Sequence, residues 1–106
     1  MKSSHHAKQD RQSLMLHMEA VKMLEADPSL AIQALATLAH WEKFVSIQSK
    51  PLRDRWVEII IKKDWALALE QSERGNQLRQ ASPLATLLPK EVRISILQSM
   101  RSQELR

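Results

Sequence analysis

Residues 14–41 read LMLHMEAVKMLEADPSLAIQALATLAHW, and this stretch decides the fold class. Leu14, Met18, Val21 and Leu24 recur at spacings of four and three, which lines up one face of a helix. The expected first helix runs from about Lys8 to Ala26. Asp27-Pro28 stops it, because the residue before a proline disfavours the α region. The same pair starts the next helix, with Asp27 as N-cap and Pro28 at the first helical position. The second helix is expected to reach about Val45, with Leu30, Ala34, Leu38, Trp41 and Val45 as its buried stripe.

The pattern repeats along the chain. Gln48-Ser49-Lys50 is a polar break, and Pro51 opens a third helix whose Leu52, Trp56, Ile59 and Ile60 face inward. Ile59-Ile60-Ile61 is β-branched, but its flanks keep helical spacing and no second strand is at hand to pair with it. Lys62 and Lys63 suit the negative end of that helix, and Asp64 is placed to cap a segment from Trp65 to about Ser72. A separate short helix is expected over Ser72 to Gln80, broken by Ala81-Ser82-Pro83. Leu84, Leu87 and Leu88 form an apolar connector laid on the core. Pro89 starts a last helix to about Gln103, with Val92, Ile96 and Met100 in one row and Leu97 beside it. The expected architecture is all-α, an irregular bundle of five to six helices in a single domain over 8–103. Residues 1–7 and 104–106 are expected to be flexible ends.

Composition agrees with that reading. The 106 residues include one glycine, too few for a hairpin-rich β fold. With 43% hydrophobic and 26% charged residues the chain is globular rather than disordered. It has no cysteine, which excludes disulfides and thiolate zinc sites. No apolar run approaches the roughly 20 residues that span a bilayer, and Met1-Lys2-Ser3-Ser4-His5-His6 has no apolar signal core. A cytoplasmic location is the expectation. The net charge of +4 mildly favours an acidic partner.

Few residues point to chemistry. His17 and His40 lack a partner at the spacing of a helical metal pair, so no metal or cofactor is expected. There is no Gly-x-Ser-x-Gly elbow, and Glu70 and Glu73 read as surface charges rather than an acid–base couple. Arg11 and His17 on one helix resemble the signature of HEPN-type ribonucleases. That resemblance implies phosphate binding by the arginine and acid–base cleavage by the histidine. The simpler alternative leaves Arg11 solvated and His17 beside the core stripe. A second alternative is nucleic-acid binding by Lys50, Arg53, Arg55, Lys62 and Lys63. Arg55 and Lys62 share a face, Arg53 points away from them, and Asp54 and Glu58 interrupt the positive surface. The leading reading there is a solvated helix of mixed charge.

Apolar residues in excess of one stripe suggest contacts with a partner. Met15, Met18 and Met23 extend the first helix beyond its main face, and Met23 points nearly opposite Leu14. Such a helix can bury one face in the domain and another in a partner or a second subunit. Trp41, Trp56 and Trp65 read first as core anchors, with interface use for one of them as the sharper alternative.

Two runs carry a wider resemblance. His17, Lys22-Met23-Leu24-Glu25-Ala26-Asp27-Pro28-Ser29-Leu30 and Trp41 make up the first. Ser72-Glu73-Arg74-Gly75-Asn76-Gln77-Leu78-Arg79-Gln80-Ala81-Ser82-Pro83-Leu84-Ala85 is the second, with Leu52, Trp56 and the segment Asp64 to Leu69 between them. Over most of residues 11 to 97 the chain resembles a family of small bacterial helical proteins. Some of these are antitoxin-like and encoded beside toxin genes, including genes for nucleotidyltransferase-like toxins. The resemblance implies a non-enzymatic protein that binds and neutralises a cognate toxin, and it carries no catalytic residue. Arg79 in the closing motif offers a rigid fork for a carboxylate. Gln80 and Ser82 can satisfy backbone groups before Pro83, so the motif also reads as a helix-stop cluster pinning the last two helices. The expected contact residues are Arg11, Met15, Met23, Trp41 and Arg79, and a homodimer is a further expectation.

Overall fold

A computed structural model describes the backbone of residues 4–104 and the side chains of residues 8–102. The expected terminal segments lie largely outside those side chains, although the first helix begins at Ser4. Six α-helices follow in order: α1 (Ser4–Ala26), α2 (Leu30–Trp41), α3 (Lys50–Lys62), α4 (Trp65–Ala68), α5 (Glu73–Gln80) and α6 (Lys90–Glu104). Two short 3₁₀ turns, Ile47–Ser49 and Leu84–Leu87, complete the described residues, which contain no strand. The bundle measures 41 × 34 × 25 Å. None of its helices is long and apolar enough to cross a membrane.

α1 is the axis of the bundle. It packs on α2, α5, α6 and the Leu84–Leu87 turn, while α2 pairs with α3, and α4 links α3 to α5. The core is built from Ala20, Val21 and Leu24 of α1, Ala34 and Leu38 of α2, and Trp56, Ile59 and Ile60 of α3. Leu67, Ala68, Leu78, Leu84 and Leu88 close it from the C-terminal half, so the apolar connector does lie on the core. Trp56 is wholly enclosed, and its indole N–H donates to the Leu78 carbonyl at 2.6 Å, tying α3 to α5. Ile96 and Met100 bury the inner row of α6.

Local chemistry sets the breaks. Ser72 extends away from the helix and its hydroxyl accepts from the Gly75 N–H at 3.0 Å, an N-cap for α5. Asp64 accepts from the Leu67 N–H at 3.3 Å and caps α4 in the same way. Ser82 accepts from the Leu84 N–H at 3.0 Å and starts the second 3₁₀ turn, whereas Gln80 is exposed. Lys63 takes the left-handed conformation, φ 56°, and closes the C-terminus of α3 through N–H contacts to Ile59 and Ile60.

Several expectations shift. α2 ends at Trp41, because residues 42–45 fold into turns on its last carbonyls, and Val45 is exposed instead of completing the stripe. Asp27 does not cap α2 directly: its carboxylate accepts from the Ser29 N–H at 3.2 Å, and the helix begins at Leu30. α4 is one turn, ending at Ala68 rather than near Ser72. On α1 the buried face is turned toward His17, Ala20, Val21 and Leu24, leaving Leu14 half-buried and Met18 exposed. A histidine occupies the core position that spacing alone assigns to a methionine.

Candidate functional site: the groove between α1 and α5

Beside the packed helices α1 and α5 lies an open groove of about 620 Å³. Asp10, Arg11, Leu14 and Met15 form the α1 wall. Gln71, Ser72, Glu73, Asn76 and Arg79 form the other. Three of the five expected contact residues, Arg11, Met15 and Arg79, therefore meet in one place. Met23 and Trp41 do not join them; both are half-buried and pack against the core.

The floor is a chain of polar contacts. Asn76 donates from its amide to Asp10 at 3.1 Å and accepts from the Arg79 guanidinium at 2.6 Å. Arg79 is buried, and its other terminal nitrogen donates to the carbonyls of Ala68 at 3.1 Å and Glu70 at 2.9 Å. Ala68 ends α4 and Glu70 lies just past it, so the guanidinium closes one helix while standing on the next. Burial lowers the Arg79 pKa, opposed by the charges of Asp10 and Glu70. The guanidinium fork thus serves backbone carbonyls more than a carboxylate. The closing motif pins α4 to α5 and, through Asn76, α5 to α1, and its Ala85 carbonyl accepts from Arg93 of α6 at 2.9 Å.

Gly75 makes this possible. A Cβ there would sit 2.0 Å from the Glu70 carbonyl oxygen, so only glycine lets the chain fold back tightly enough for Arg79 to reach it. Glu70 is also held on its outer side by Arg74 at 2.6 Å, and that hydrogen bond lowers the Glu70 pKa.

His17 stands apart from the groove. Its Nδ1 lies 2.7 Å from the Ser13 carbonyl, and its ring stacks on Trp56 with centroids 6.0 Å apart. With Nδ1–H donating to that carbonyl, Nε2 is the unprotonated acceptor, buried with no partner among the described residues. Burial lowers its pKa from 6.5 to about 4, with the Ser13 bond opposing and Arg79 adding to the fall. Arg11 lines the groove and His17 faces the core, so the two members of the ribonuclease-like pair have separate surroundings.

The basic residues of α3 are also divided. Arg53, expected as a nucleic-acid contact, is 3% exposed. It donates to Glu42 at 2.9 Å, to the Ser46 carbonyl at 3.0 Å and to the Ser49 hydroxyl. It therefore clamps the α2–α3 connection and presents nothing to a phosphate. Lys50 pairs with Asp54 at 3.2 Å, and Arg55 and Lys62 both pair with Glu58, at 2.6 and 3.3 Å. Lys63 is exposed and forms no ion pair among the described residues. No three metal-ligating side chains come together among those residues.

Sequence reasoning did not find Asp10, Leu14 or Asn76 as parts of the groove. Asp10 and Asn76 are 66 positions apart, and no local pattern links two polar residues at that separation. No family model, curated protein or solved structure matches the chain.

Proposed function

We propose that this is a non-enzymatic, antitoxin-like protein that binds a cognate toxin through a helical surface, with the α1–α5 groove as the contact. The observation that carries the proposal is the convergence of Arg11, Met15 and Arg79 on one open groove. Met15 supplies an adaptable apolar contact, and Arg11 and Glu73 stand at its edges as exposed charges of opposite sign. Arg79 supports the shape of the groove from beneath, since most of its donors are already used. A mixed apolar and charged groove of this size suits a partner's helix or extended segment, held by an apolar anchor and flanking charges.

The test is co-expression with the product of the adjacent gene. We expect that product alone to arrest growth and this protein to restore it. Met15→Glu is expected to abolish the rescue while the purified variant keeps its helical circular dichroism. Full rescue by Met15→Glu, or a neighbour that is harmless and does not co-purify, would overturn the proposal.

A further inference from the structure

Two buried side-chain atoms among the described residues find no hydrogen-bond partner within the chain, His17 Nε2 and Arg79 Nε. They are of opposite kind. With Nδ1–H donating to the Ser13 carbonyl, Nε2 is an acceptor, whereas a guanidinium Nε–H can only donate. Both side chains are enclosed, at 2% and 4% exposure. A donor or acceptor left unpaired in such a place is costly, and folded proteins pair nearly all of them.

The fold brings the two side chains together. His17 stacks on Trp56, and the Trp56 indole N–H binds the carbonyl of Leu78, the residue before Arg79. Along α1, His17 stands seven residues beyond Asp10, nearly two helical turns, and so on the same face. Asp10 meets Asn76 at 3.1 Å, and Arg79 follows Asn76 by one turn of α5. The charge of Arg79 is close enough to act on the His17 ring. The terminal nitrogens of the guanidinium are already committed to the Ala68 and Glu70 carbonyls and to the Asn76 amide oxygen, which leaves Nε.

We propose that one buried water molecule links Arg79 Nε to His17 Nε2, and that His17 is thereby a positioning residue for the α1–α5 groove. The water accepts from the Arg79 Nε–H and donates one of its own O–H groups to His17. The chemistry of the two atoms selects water: a cation is repelled by the guanidinium, and an anion by the lone pair on Nε2. A chain of this length typically buries about four such waters, each bridging polar groups that would otherwise stand unpaired. The link fixes the one edge of the guanidinium that the carbonyls leave loose. The other edge holds Asn76, and Asn76 holds Asp10 on the groove wall. α1 and α5 are then tied twice, by Asp10 and Asn76 within the groove and by His17 and Arg79 beneath it. The bearing of this link on partner capture rests on the proposed groove contact, whereas the link itself does not.

Solution NMR of the ¹⁵N-labelled full chain at pH 7 tests this without any partner, so failure of the link and failure of the toxin reading are separable. In the wild type, His17 is expected as the Nδ1–H tautomer, and a long-lived water is expected to show cross-relaxation with both the His17 ring and the Arg79 Nε–H. His17→Phe keeps a ring on Trp56 but removes the acceptor. The Arg79 Nε–H is then expected to exchange with solvent about tenfold faster or more, the size of a lost hydrogen bond to a charged group. His17→Gln gives up the ring but sets an amide oxygen within reach of the same point, and is expected to keep the slow exchange. A purely space-filling role for His17 predicts the opposite order, with Phe protecting Arg79 and Gln exposing it. Any order other than the expected one overturns the proposal, as does an Nε2–H tautomer or the lack of a water contact in the wild type. Circular dichroism checks that each variant folds, and the wild-type measurements decide the question if one does not.

Discussion

Enclosing the His17 imidazole against Trp56 holds its pKa near 4, against 6.5 when it is free in the unfolded chain. Between those values the unfolded state binds the extra proton and the folded state does not, so stability rises with pH. The contribution is full above pH 6.5 and is lost as pH falls toward 4. Its size is about 3 kcal/mol, taking 1.36 kcal/mol per pH unit. Urea titrations at pH 7 and pH 4.5 are expected to show this loss in the wild type, and His17→Leu is expected to flatten that part of the profile. An unchanged profile in His17→Leu would assign the acid sensitivity elsewhere. Gly75 is the second residue whose chemistry is decided by its surroundings. With the Glu70 carbonyl 2.0 Å from a would-be Cβ, Gly75→Ala has to push α5 away from the end of α4 and break the Arg79 contacts. A loss of about 2–4 kcal/mol is expected, beyond an ordinary helix-favouring glycine-to-alanine change, and equal stability of the variant would refute the tight fold-back. Burial of Arg53 and Arg79 was not legible in the sequence, and His17 was read only as standing beside the core stripe. Each is enclosed because its partners come from other turns or distant backbone carbonyls, and a hydropathy pattern shows neither.

The elements were the most legible scale. Pro28, Pro51, Pro83 and Pro89 each stand at or next to the boundary between helical segments, since proline both ends the preceding helix and suits the first turn of the next. The extent of α2 was harder to read. Val45 continues the helical spacing of Trp41 and Leu38, but the Arg53 clamp on Glu42 and the Ser46 carbonyl holds the chain in the connection instead. The end of α3 is also hidden, because its left-handed cap is Lys63 where a glycine is usual. Lys63→Gly is expected to stabilise the fold by about 0.5 kcal/mol. Relief of the left-handed strain, about 1–2 kcal/mol, exceeds the entropy that glycine adds to the unfolded chain, about 0.4–1 kcal/mol. Thermal melts check this, and a lower melting temperature would contradict it.

At the scale of the molecule, α1 serves two purposes. Its His17–Leu24 face joins the core, and its Asp10–Met15 segment forms one wall of the α1–α5 groove. The all-α bundle followed from spacing and capping residues because those are local signals. The groove followed only in part. Arg11, Met15 and Arg79 stood out by type, yet Asp10 and Asn76 join them through a contact that only the folded chain creates. The exposure of Ile32 and Ile61 was missed for a related reason: both read as ordinary helix residues, and only the packed helices leave them in solvent. Partner binding in the α1–α5 groove is what the proposed function depends on most. Titration calorimetry of the purified neighbouring gene product into the wild type and into Met15→Glu measures it directly. Saturable binding to the wild type is expected, with a loss of at least about tenfold in affinity in the variant, as for a contact residue at the centre of an interface. Equal affinity for both proteins, or no binding to the wild type, would contradict a toxin contact in this groove.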